Sequence, residues 1–534
     1  MGGPMGAKSF LEAKAGILLL VACSTGAPSG ARAGQPNPGT PEVHAGEMLF
    51  VEANNSFTID LFQRLSLDHK SENVFVSPYS ISQVLLMAAE GARHETAAEM
   101  GRVLRFPTSL GSGNDTDPIP WAMAPLHEGL AQLNARFRTT ASGEDKGIRE
   151  EIARLQAEQK QIDDQLKKSS PGSETLKVYL RKQEVVARLN ELRAQLEQNE
   201  VRIANALWCE QTYPLRSEFI ETIDRYYAPG GVFEVDFKFD HEDSRHQINK
   251  WVEEQTRLRI KDLIGPGVLN ASTRLVLTNA IYFKGEWSEP FRVEETKQRN
   301  FFLADGDSSM TLMMEANSLG TARYAAFEAD GSFFDTPNYW HPPDKDQASK
   351  AINYPSEEGF AVLELPYKGD RISMVLISPN HPDGLPEVER MLTVEGPQRW
   401  TRQLKARKVH VRMPKFRLET VYSMTEVLQG MGMVRAFEDP RFPNGSQFGG
   451  ITSSTDPNEQ PVISAVLHKA MVEVNEQGTE AAAATATTIM ITSGLHSTPF
   501  VPMFRADRPF VFMIQDRPTG AILFIGRMLR PDRV

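Results

Sequence analysis

Residues 472–488 read V-E-V-N-E-Q-G-T-E-A-A-A-A-T-A-T-T, and the interpretation of the chain starts from this stretch. Val472 and Val474 alternate with polar residues, which predicts a half-buried strand. Gly478 then interrupts the pattern and allows the backbone to bend. The alanines that follow favour a helix, whereas the threonines after them favour a strand. The segment is small and uncharged after Glu480, so it is compatible with entry into a narrow slot of a β-sheet.

Two apolar segments follow this stretch. Residues 504–514, F-R-A-D-R-P-F-V-F-M-I, predict a strand entered through a turn, and residues 521–526, A-I-L-F-I-G, predict a second strand. This order of hinge, exposed loop and two strands resembles the serpins, the serine protease inhibitor superfamily. The resemblance implies an α+β fold with three β-sheets, about eight to nine helices and an exposed reactive loop.

The composition is that of an ordinary globular protein. The chain has 534 residues, of which 40% are hydrophobic and 24% charged, and this length alone would allow two to four domains. A net charge of −11 argues against nucleic acid as a partner, because phosphate binding needs a basic surface. Two cysteines do not make a disulfide framework, and no apolar run reaches the roughly 20 residues that span a bilayer.

The first residues predict export. Lys8 and Lys14 accompany an apolar run at residues 15–22, and the following L-V-A-C resembles the lipobox of bacterial lipoproteins. We therefore expect a signal peptide at residues 1–22, acylation of Cys23 and a flexible Gly/Pro/Ala-rich tether at 23–46. The protein would reside in the cell envelope, at the outer membrane or surface, or be secreted, with membrane contact only through the lipid.

Two alternatives to the lipoprotein interpretation stay open. The sequence Ala31-Arg32-Ala33 is compatible with an ordinary signal-peptidase site, which would release the protein without a lipid. The apolar run is also compatible with no signal at all, since Glu12 is unusual in a basic leader.

Two internal motifs carry the resemblance further. Residues 73–81, N-V-F-V-S-P-Y-S-I, are similar to the serpin N-F-S-P-x-S-I motif, and residues 275–287 are similar to its central strand L-x-N-A-x-Y-F-K-G-x-W. The resemblance implies that the sheet-opening region contains residues beneath the main sheet, at the point where it parts, and at its top: Ser77, Ser80, Asn279, His468 and Trp287. A plain core role for Trp287 is compatible with this.

The sequence does not indicate an enzyme. A serine near a histidine invites a hydrolase interpretation, but no G-x-S-x-G elbow accompanies it, and Ser77 is better placed as a helix cap. His341 with Asp344 and Asp346 in a Pro-rich loop is a weak metal motif. We therefore predict neither a catalytic residue, nor a metal, nor a cofactor.

The folded body is predicted as one serpin domain, residues 47–534, with two interruptions. Apolar residues at helical spacing on both sides of a turn at residues 169–173 predict an inserted antiparallel helical hairpin at 138–200. A polar and aromatic loop at 329–356 forms the second insertion. The hairpin is interpreted as a solvated spacer, with a partner-binding arm or a dimerisation element as alternatives. Leu258 departs from the family, which usually has glycine at this turn.

The resemblance also implies the residues of the inhibitory loop. The hinge comprises Glu476, Gly478, Thr479, Glu480, Ala481, Ala482, Ala483 and Ala484. Counting from Gly478 places the reactive bond at Thr492–Ser493, with Leu495 or Met490 as fallbacks because the loop is long on its far side. Thr492 favours an elastase-like or subtilisin-like serine protease as partner, whereas Leu495 would favour a chymotrypsin-like one.

Three function classes are compatible with the sequence. The first is a monomeric suicide-substrate inhibitor that traps the acyl-enzyme by inserting the cleaved loop into the main sheet. The second is a non-inhibitory serpin that acts as a binding or scaffolding protein at the envelope, and the third is a coiled-coil adhesion protein that uses the serpin body as a platform for the hairpin. The hinge favours the first, since it carries no charge after Glu480 and no proline between residues 478 and 498.

Overall fold

The computed structural model describes residues 44–113, 117–139, 199–228, 230–339, 355–479 and 499–531, with scattered residues between 147 and 189. Within these ranges the chain forms α-helices at Ala45–Asp68, Pro78–Gly91, His94–Val103, Ala124–Thr139, Ser217–Tyr227, His241–Gln255, Leu385–Met391, Gly396–Arg402 and Thr425–Gly430. None of these helices combines the length and the apolarity that a membrane crossing requires.

Eighteen strands form three sheets in the described residues. They are β1 Val74–Val76, β2 Asn199–Glu210, β3 Gly231–Val235, β4 Leu275–Glu286, β5 Lys297–Phe302, β6 Ser308–Leu319, β7 Arg323–Phe327, β8 Phe333–Phe334, β9 Phe360–Pro366, β10 Ile372–Pro379, β11 Lys405–Ala406, β12 Val409–Pro414, β13 Phe416–Ser423, β14 Ile463–Asn475, β15 Gly478–Thr479, β16 Met503–Arg505, β17 Phe510–Asp516 and β18 Ala521–Met528. The predicted α+β class with three sheets is confirmed.

The strand orders define a central sheet, a large antiparallel sheet and a small sheet. The central sheet runs β13-β14-β15-β4-β2-β3, and the large sheet runs β1-β18-β17-β10-β9-β7-β11 with β8 paired to β7. The small sheet runs β16-β12-β6-β5. The chain returns from the hinge into β16, so the predicted reactive loop connects the central sheet to the small one.

The helix Pro78–Gly91 lies in the middle of the molecule. Every residue in it except Glu90 is buried, as expected for a helix that is surrounded on all sides. Pro78 occupies the first turn, where its missing N–H costs nothing, and the Ser77 hydroxyl accepts from the Ser80 N–H. This helix contacts β2 and β4 of the central sheet and β18 of the large sheet. The N-terminal turn therefore brings Ser77 and Ser80 beneath the central sheet.

Some described residues of the predicted hairpin pair with one another. Arg188 donates to Glu151 at 3.1 Å and Arg181 donates to Glu158 at 2.8 Å. From the first pair to the second, the residue number rises by seven in one segment and falls by seven in the other. Five apolar side chains form a cluster of their own: Leu155, Ile162, Val178, Val185 and Leu189. These pairs are those of two antiparallel segments. The limits of the insertion and its role stay predictions, and the helix Ala124–Thr139 and β2 overlap its predicted ends.

The turn after the helix His241–Gln255 accommodates Leu258 in place of glycine. Arg257 and Leu258 adopt φ values of 51° and 63°, and the Leu258 N–H donates to the Glu253 carbonyl at 2.7 Å. Leu258 therefore adopts a left-handed conformation, which glycine takes more readily than leucine. A non-glycine residue in this conformation costs roughly 1–2 kcal/mol.

We expect Leu258→Gly to stabilise the protein. Relief of the left-handed strain raises the free energy of unfolding by about 1 kcal/mol or more. Glycine also gives the unfolded chain more conformational freedom, which lowers the free energy of unfolding, so the net increase is about 0.5 kcal/mol. Urea unfolding measures this gain. Leu258→Ala is the matched control, since it removes the half-exposed side chain but keeps the strain. Equal stabilisation by both substitutions would contradict the strain explanation.

Candidate functional site

The candidate site is the seam between β14 and β4 of the central sheet. In its lower part the two strands pair directly in parallel, from Ile463 opposite Leu275 to Met471 opposite Tyr282. In its upper part β15 lies between them, with Thr479 opposite both Val474 of β14 and Gly285 of β4. The seam is thus closed below and already open for two hinge residues above.

Gly478 is the residue that lets the hinge enter the seam. Its φ is 149°, a conformation that side chains rarely allow. A Cβ atom at this position would lie 2.0 Å from the Gly285 carbonyl oxygen and 2.7 Å from the Glu286 Cα. Both contacts are with backbone, which has no room to move aside, so only glycine fits at the mouth of the seam.

Thr479 is fully buried and anchors the hinge to a neighbouring aromatic cluster. Its Oγ1 is 2.8 Å from the Tyr367 hydroxyl, and the Tyr367 ring stacks on Trp287 with centroids 4.5 Å apart. Phe283 packs edge-on against Tyr367 at 4.9 Å. Burial raises the pKa of Tyr367 strongly, so its hydroxyl stays protonated and able to donate. Thr479, the second residue of β15, therefore has a specific polar partner inside an apolar site.

Trp287 and Glu476 hold the turn that precedes the hinge. The Trp287 indole donates to the Asn475 carbonyl at 3.0 Å, and its backbone N–H donates to the Gln477 carbonyl at 2.8 Å. The Glu476 carboxylate is buried and lies 3.0 Å from the Lys415 ammonium. These contacts fix the direction in which the chain approaches the seam.

A buried polar row crosses the closed part of the seam. His468 of β14 lies opposite Asn279 of β4, which in turn lies opposite Asn205 of β2. The His468 Nδ1 hydrogen-bonds to the Asn279 Oδ1. The Asn279 amide donates to the Asn205 Oδ1 at 2.7 Å and to the Ser80 hydroxyl at 2.6 Å. Separation of β14 from β4 must break the bond between His468 and Asn279.

The N-terminal turn of the central helix completes this network from below. The Ser80 hydroxyl donates to the Asn205 Oδ1 at 2.9 Å, and the Asn205 amide donates to the Ser80 carbonyl at 3.0 Å. The Ser77 N–H donates to the His468 Nε2 at 3.2 Å. Hence His468 accepts at Nε2 and donates at Nδ1, which only the neutral ring can do.

The same geometry argues against a serine–histidine catalytic pair. The Ser77 hydroxyl donates to the Leu523 carbonyl at 2.7 Å rather than to His468. Both residues are completely buried, so no substrate reaches them. Ser77, Ser80, Asn279 and His468 form a structural connection across the seam.

We expect acid to lower the free energy of unfolding through His468, although the ring stays neutral in the folded protein. Burial lowers the pKa of His468 from 6.5 to about 3. Neutral His468 contributes fully to the free energy of unfolding above pH 6.5, the pKa of the unfolded chain. This contribution is lost as the pH falls from 6.5 toward the folded pKa of about 3, because in that range only the unfolded chain takes up the proton. Between about pH 6.5 and pH 5 the loss is roughly 2 kcal/mol.

Urea unfolding of wild type and His468→Gln at several pH values measures this loss. The variant is less stable at neutral pH but its stability falls less steeply in acid, because glutamine does not titrate. Parallel curves for the two proteins would contradict the assignment to His468.

The structure places the predicted residues in two groups and leaves others outside its described ranges. Ser77, Ser80, Asn279 and His468 meet in the closed seam, while Glu476, Gly478, Thr479 and Trp287 meet at its upper end. The remaining hinge residues, the candidate reactive-bond residues and Cys23 lie outside the described residues: Glu480, Ala481, Ala482, Ala483, Ala484, Met490, Thr492, Ser493 and Leu495.

Sequence reasoning missed three residues that complete the site. Tyr367 contacts both the hinge and Trp287, Asn205 links the seam to the helix, and Lys415 pairs with Glu476. Nothing in the sequence around these residues marks them as partners of distant ones. In the part of the chain that the structure describes, no three His, Cys, Asp or Glu side chains converge as a metal site would.

The comparisons with known proteins agree with this geometry. A family model described as "Serpin (serine protease inhibitor)" matches residues 52–531. An uncharacterized serpin-like protein of Thermococcus kodakarensis is 33% identical and covers 91% of this chain and 86% of its own length. The leukocyte elastase inhibitor of Sus scrofa is 30% identical, over 90% of this chain and 98% of that protein. The crystal structure of uncleaved ovalbumin superposes with a TM-score of 0.63 at 24% identity, covering 90% of this chain and 100% of that one.

Proposed function

Because the chain belongs to the serpin family, we propose that it is an irreversible suicide-substrate inhibitor of serine proteases. The protease attacks the reactive loop as a substrate and forms an acyl-enzyme through its serine. Insertion of the cleaved loop between β14 and β4 then removes the bound protease from the geometry that hydrolysis requires. The elastase inhibitor among its relatives supports this function at the level of the family.

The half-open seam is the observation that carries the proposal. β15 already occupies the first two positions between β14 and β4, whereas the lower strands still pair with each other. Further insertion continues a strand that has begun and needs no new entry point. The alanines after Glu480 suit this path, since neighbouring strands are only about 4.8 Å away on each side.

The energy for insertion comes from new sheet pairing. Each net backbone hydrogen bond contributes about 1 kcal/mol, and insertion forms on the order of ten of them. These bonds exceed the entropy cost of ordering the loop only if side-chain packing in the sheet adds to them. The existing pairing of β14 with β4 and the His468–Asn279 bond oppose insertion, and before the cut the connection of the loop to β16 opposes it as well. The intact chain is therefore held in a state of higher free energy than the cleaved chain.

The target follows from the residue at the reactive bond. We propose Thr492–Ser493 as the bond and an elastase-like or subtilisin-like protease as the target, since a small β-branched residue suits a shallow pocket. If Leu495 or Met490 is the reactive residue instead, the preferred protease changes. Leu495 would favour a chymotrypsin-like protease.

Mixing the purified protein with elastase, subtilisin, chymotrypsin and trypsin tests the function. We expect a complex with elastase or subtilisin that survives boiling in detergent, and mass analysis of the released C-terminal peptide identifies the bond. Cleavage by every protease without a stable complex would contradict inhibition and favour a binding or scaffolding role.

We also propose that Cys23 carries a lipid that holds the inhibitor at the cell envelope. Expression of the full chain in a Gram-negative host, followed by detergent phase separation, tests this. The wild type should enter the detergent phase and Cys23→Ser the aqueous phase. Equal partition of the two proteins would favour the freely secreted form.

A further inference from the structure

A cavity of about 380 Å³ lies among the helices on the side of the molecule away from the seam. Its walls come from the C-terminal end of the helix Pro78–Gly91, from the connection that precedes the helix Ala124–Thr139, and from the helices His94–Val103, Ala124–Thr139 and Ser217–Tyr227. None of the described residues that line it belongs to β4, β14 or β15. Small-molecule sites in proteins occupy roughly 300–1,000 Å³, so the cavity is large enough for a small organic ligand.

Aromatic rings held by their neighbours form much of the cavity wall. The Trp121 indole donates to the Ala97 carbonyl at 3.1 Å, and its ring packs edge-on against Phe106 with centroids 5.8 Å apart. Tyr226, from another helix, stacks on the buried His127 ring with centroids 5.5 Å apart. These contacts fix the rings before any ligand binds. Offset stacking on fixed rings favours an aromatic ligand.

The cavity also carries an excess of positive charge. Of the described residues that line it, two are arginines and one is acidic. The acidic residue is already engaged, because the Glu90 Oε2 lies 2.9 Å from the Nε2 of His127, whose Nδ1 lies 2.6 Å from the Tyr227 hydroxyl. Neither Arg93 nor Arg225 forms an ion pair with a carboxylate in the part of the chain that the structure describes.

Arg93 is held in place with part of its guanidinium available. Its Nη1 donates to the Glu90 carbonyl at 2.8 Å and to the Ala92 carbonyl at 2.7 Å, whereas no acceptor among the described residues binds its Nε or Nη2. Burial lowers the pKa of Arg93, the charge of Glu90 raises it in part, and the charge of Arg216 lowers it again. An anion beside Arg93 would offset this cost. Arg225 lines the same cavity but is exposed, so it lies where the cavity meets solvent.

We propose that this cavity binds a small aromatic carboxylate. The aromatic part lies against Trp121 and Tyr226, the carboxylate pairs with Arg93, and Arg225 adds attraction at the opening. Arginine pairs with planar carboxylates through two parallel N–H donors, which favours this anion over a compact point charge. Phosphate would leave the aromatic wall unused, and a neutral aromatic molecule would leave Arg93 without an anion. This ligand site goes beyond the proposed inhibitory function and does not depend on it.

Calorimetric titration of the intact full-length protein with 2-naphthoate tests the proposal. The matched probes are 2-naphthylmethanol, which keeps the rings without the charge, and acetate, which keeps the charge without the rings. We expect naphthoate to bind with a dissociation constant on the order of 100 µM. Naphthylmethanol should bind at least roughly tenfold more weakly, because the charge-assisted hydrogen bonds are lost, and acetate should not bind measurably.

Four variants locate the ligand. Arg93→Gln should weaken naphthoate binding at least roughly tenfold and leave naphthylmethanol binding nearly unchanged. Arg225→Gln should weaken naphthoate binding a few-fold, less so in high salt, because this exposed charge is screened. Lys250→Gln is the matched control, since it removes an exposed helical cation outside the cavity and should change nothing. Ala122→Phe fills the cavity from an exposed lining position and should abolish naphthoate binding even if Arg93→Gln does not fold.

Three results would overturn the proposal. They are equal affinities of wild type for naphthoate and naphthylmethanol, an equal loss of naphthoate affinity in Lys250→Gln and Arg93→Gln, and wild-type affinity for naphthoate in Ala122→Phe. The titration contains no protease, so a failure of protease trapping would leave the ligand result standing.

Discussion

Cleavage of the reactive loop is expected to raise the melting temperature of the protein by about 10 °C or more. In a domain of this size, a rise of about 10 °C corresponds to roughly 10 kcal/mol of added stability, which new backbone pairing and side-chain packing must supply together after the ordering of the loop is offset. The closed lower seam is the space that the cleaved loop would occupy, since Ile463 to Met471 now pair directly with β4. The intact chain lacks this extra strand.

Thermolysin is the suitable reagent for this experiment. As a metalloprotease it activates a water molecule and forms no acyl-enzyme, so it cuts the loop without being trapped. Intact and cut proteins are then heated side by side, with mass analysis to show that the cut falls between residues 480 and 498. Equal melting temperatures would leave no stored free energy to drive inhibition.

The sequence predicted the sheets better than it predicted the contacts between them. Strands such as β4 and β17 are nearly continuous apolar runs, because they are buried on both faces, and such runs are visible without a structure. β15 and β16 were not predicted as separate strands. They contain only two and three residues, too few for periodicity to show, and their pairing depends on distant strands.

The candidate site was predictable only where it lay in a recognisable motif. Asn279 and His468 are far apart in sequence, and their bond follows from the parallel register of β14 with β4, which no local pattern specifies. Tyr367 was missed for the same reason, since its role depends on a hydrogen bond to Thr479 more than a hundred residues later. Leu258 shows the opposite case, in which the turn persists although the expected glycine is absent.

Thr479→Arg is expected to convert the inhibitor into a substrate. Thr479 is fully buried between β14 and β4, and its hydroxyl bonds to Tyr367. An arginine in this slot is too large for the space and leaves its charge without solvent or partner, which costs several kcal/mol. The hinge must then leave the seam, and insertion of the cut loop becomes slower than hydrolysis of the acyl-enzyme.

The measurement is the fraction of protease trapped per molecule of inhibitor cleaved. We expect a fall of at least tenfold for Thr479→Arg, since slowing of insertion by about 1.4 kcal/mol already changes the ratio of trapping to hydrolysis tenfold. The rate of loop cleavage should stay close to that of wild type, because the reactive bond lies far from the hinge in sequence.

Two matched variants separate size and charge from the lost hydrogen bond. Thr479→Ser keeps the hydroxyl and Thr479→Val keeps the shape, so both fit the slot and should retain most of the trapping. Cut Thr479→Arg should also lack most of the rise in melting temperature that the cut wild type shows. Trapping by Thr479→Arg at the wild-type stoichiometry would mean that entry at β15 does not control insertion, and the seam between β14 and β4 would lose its role in the mechanism.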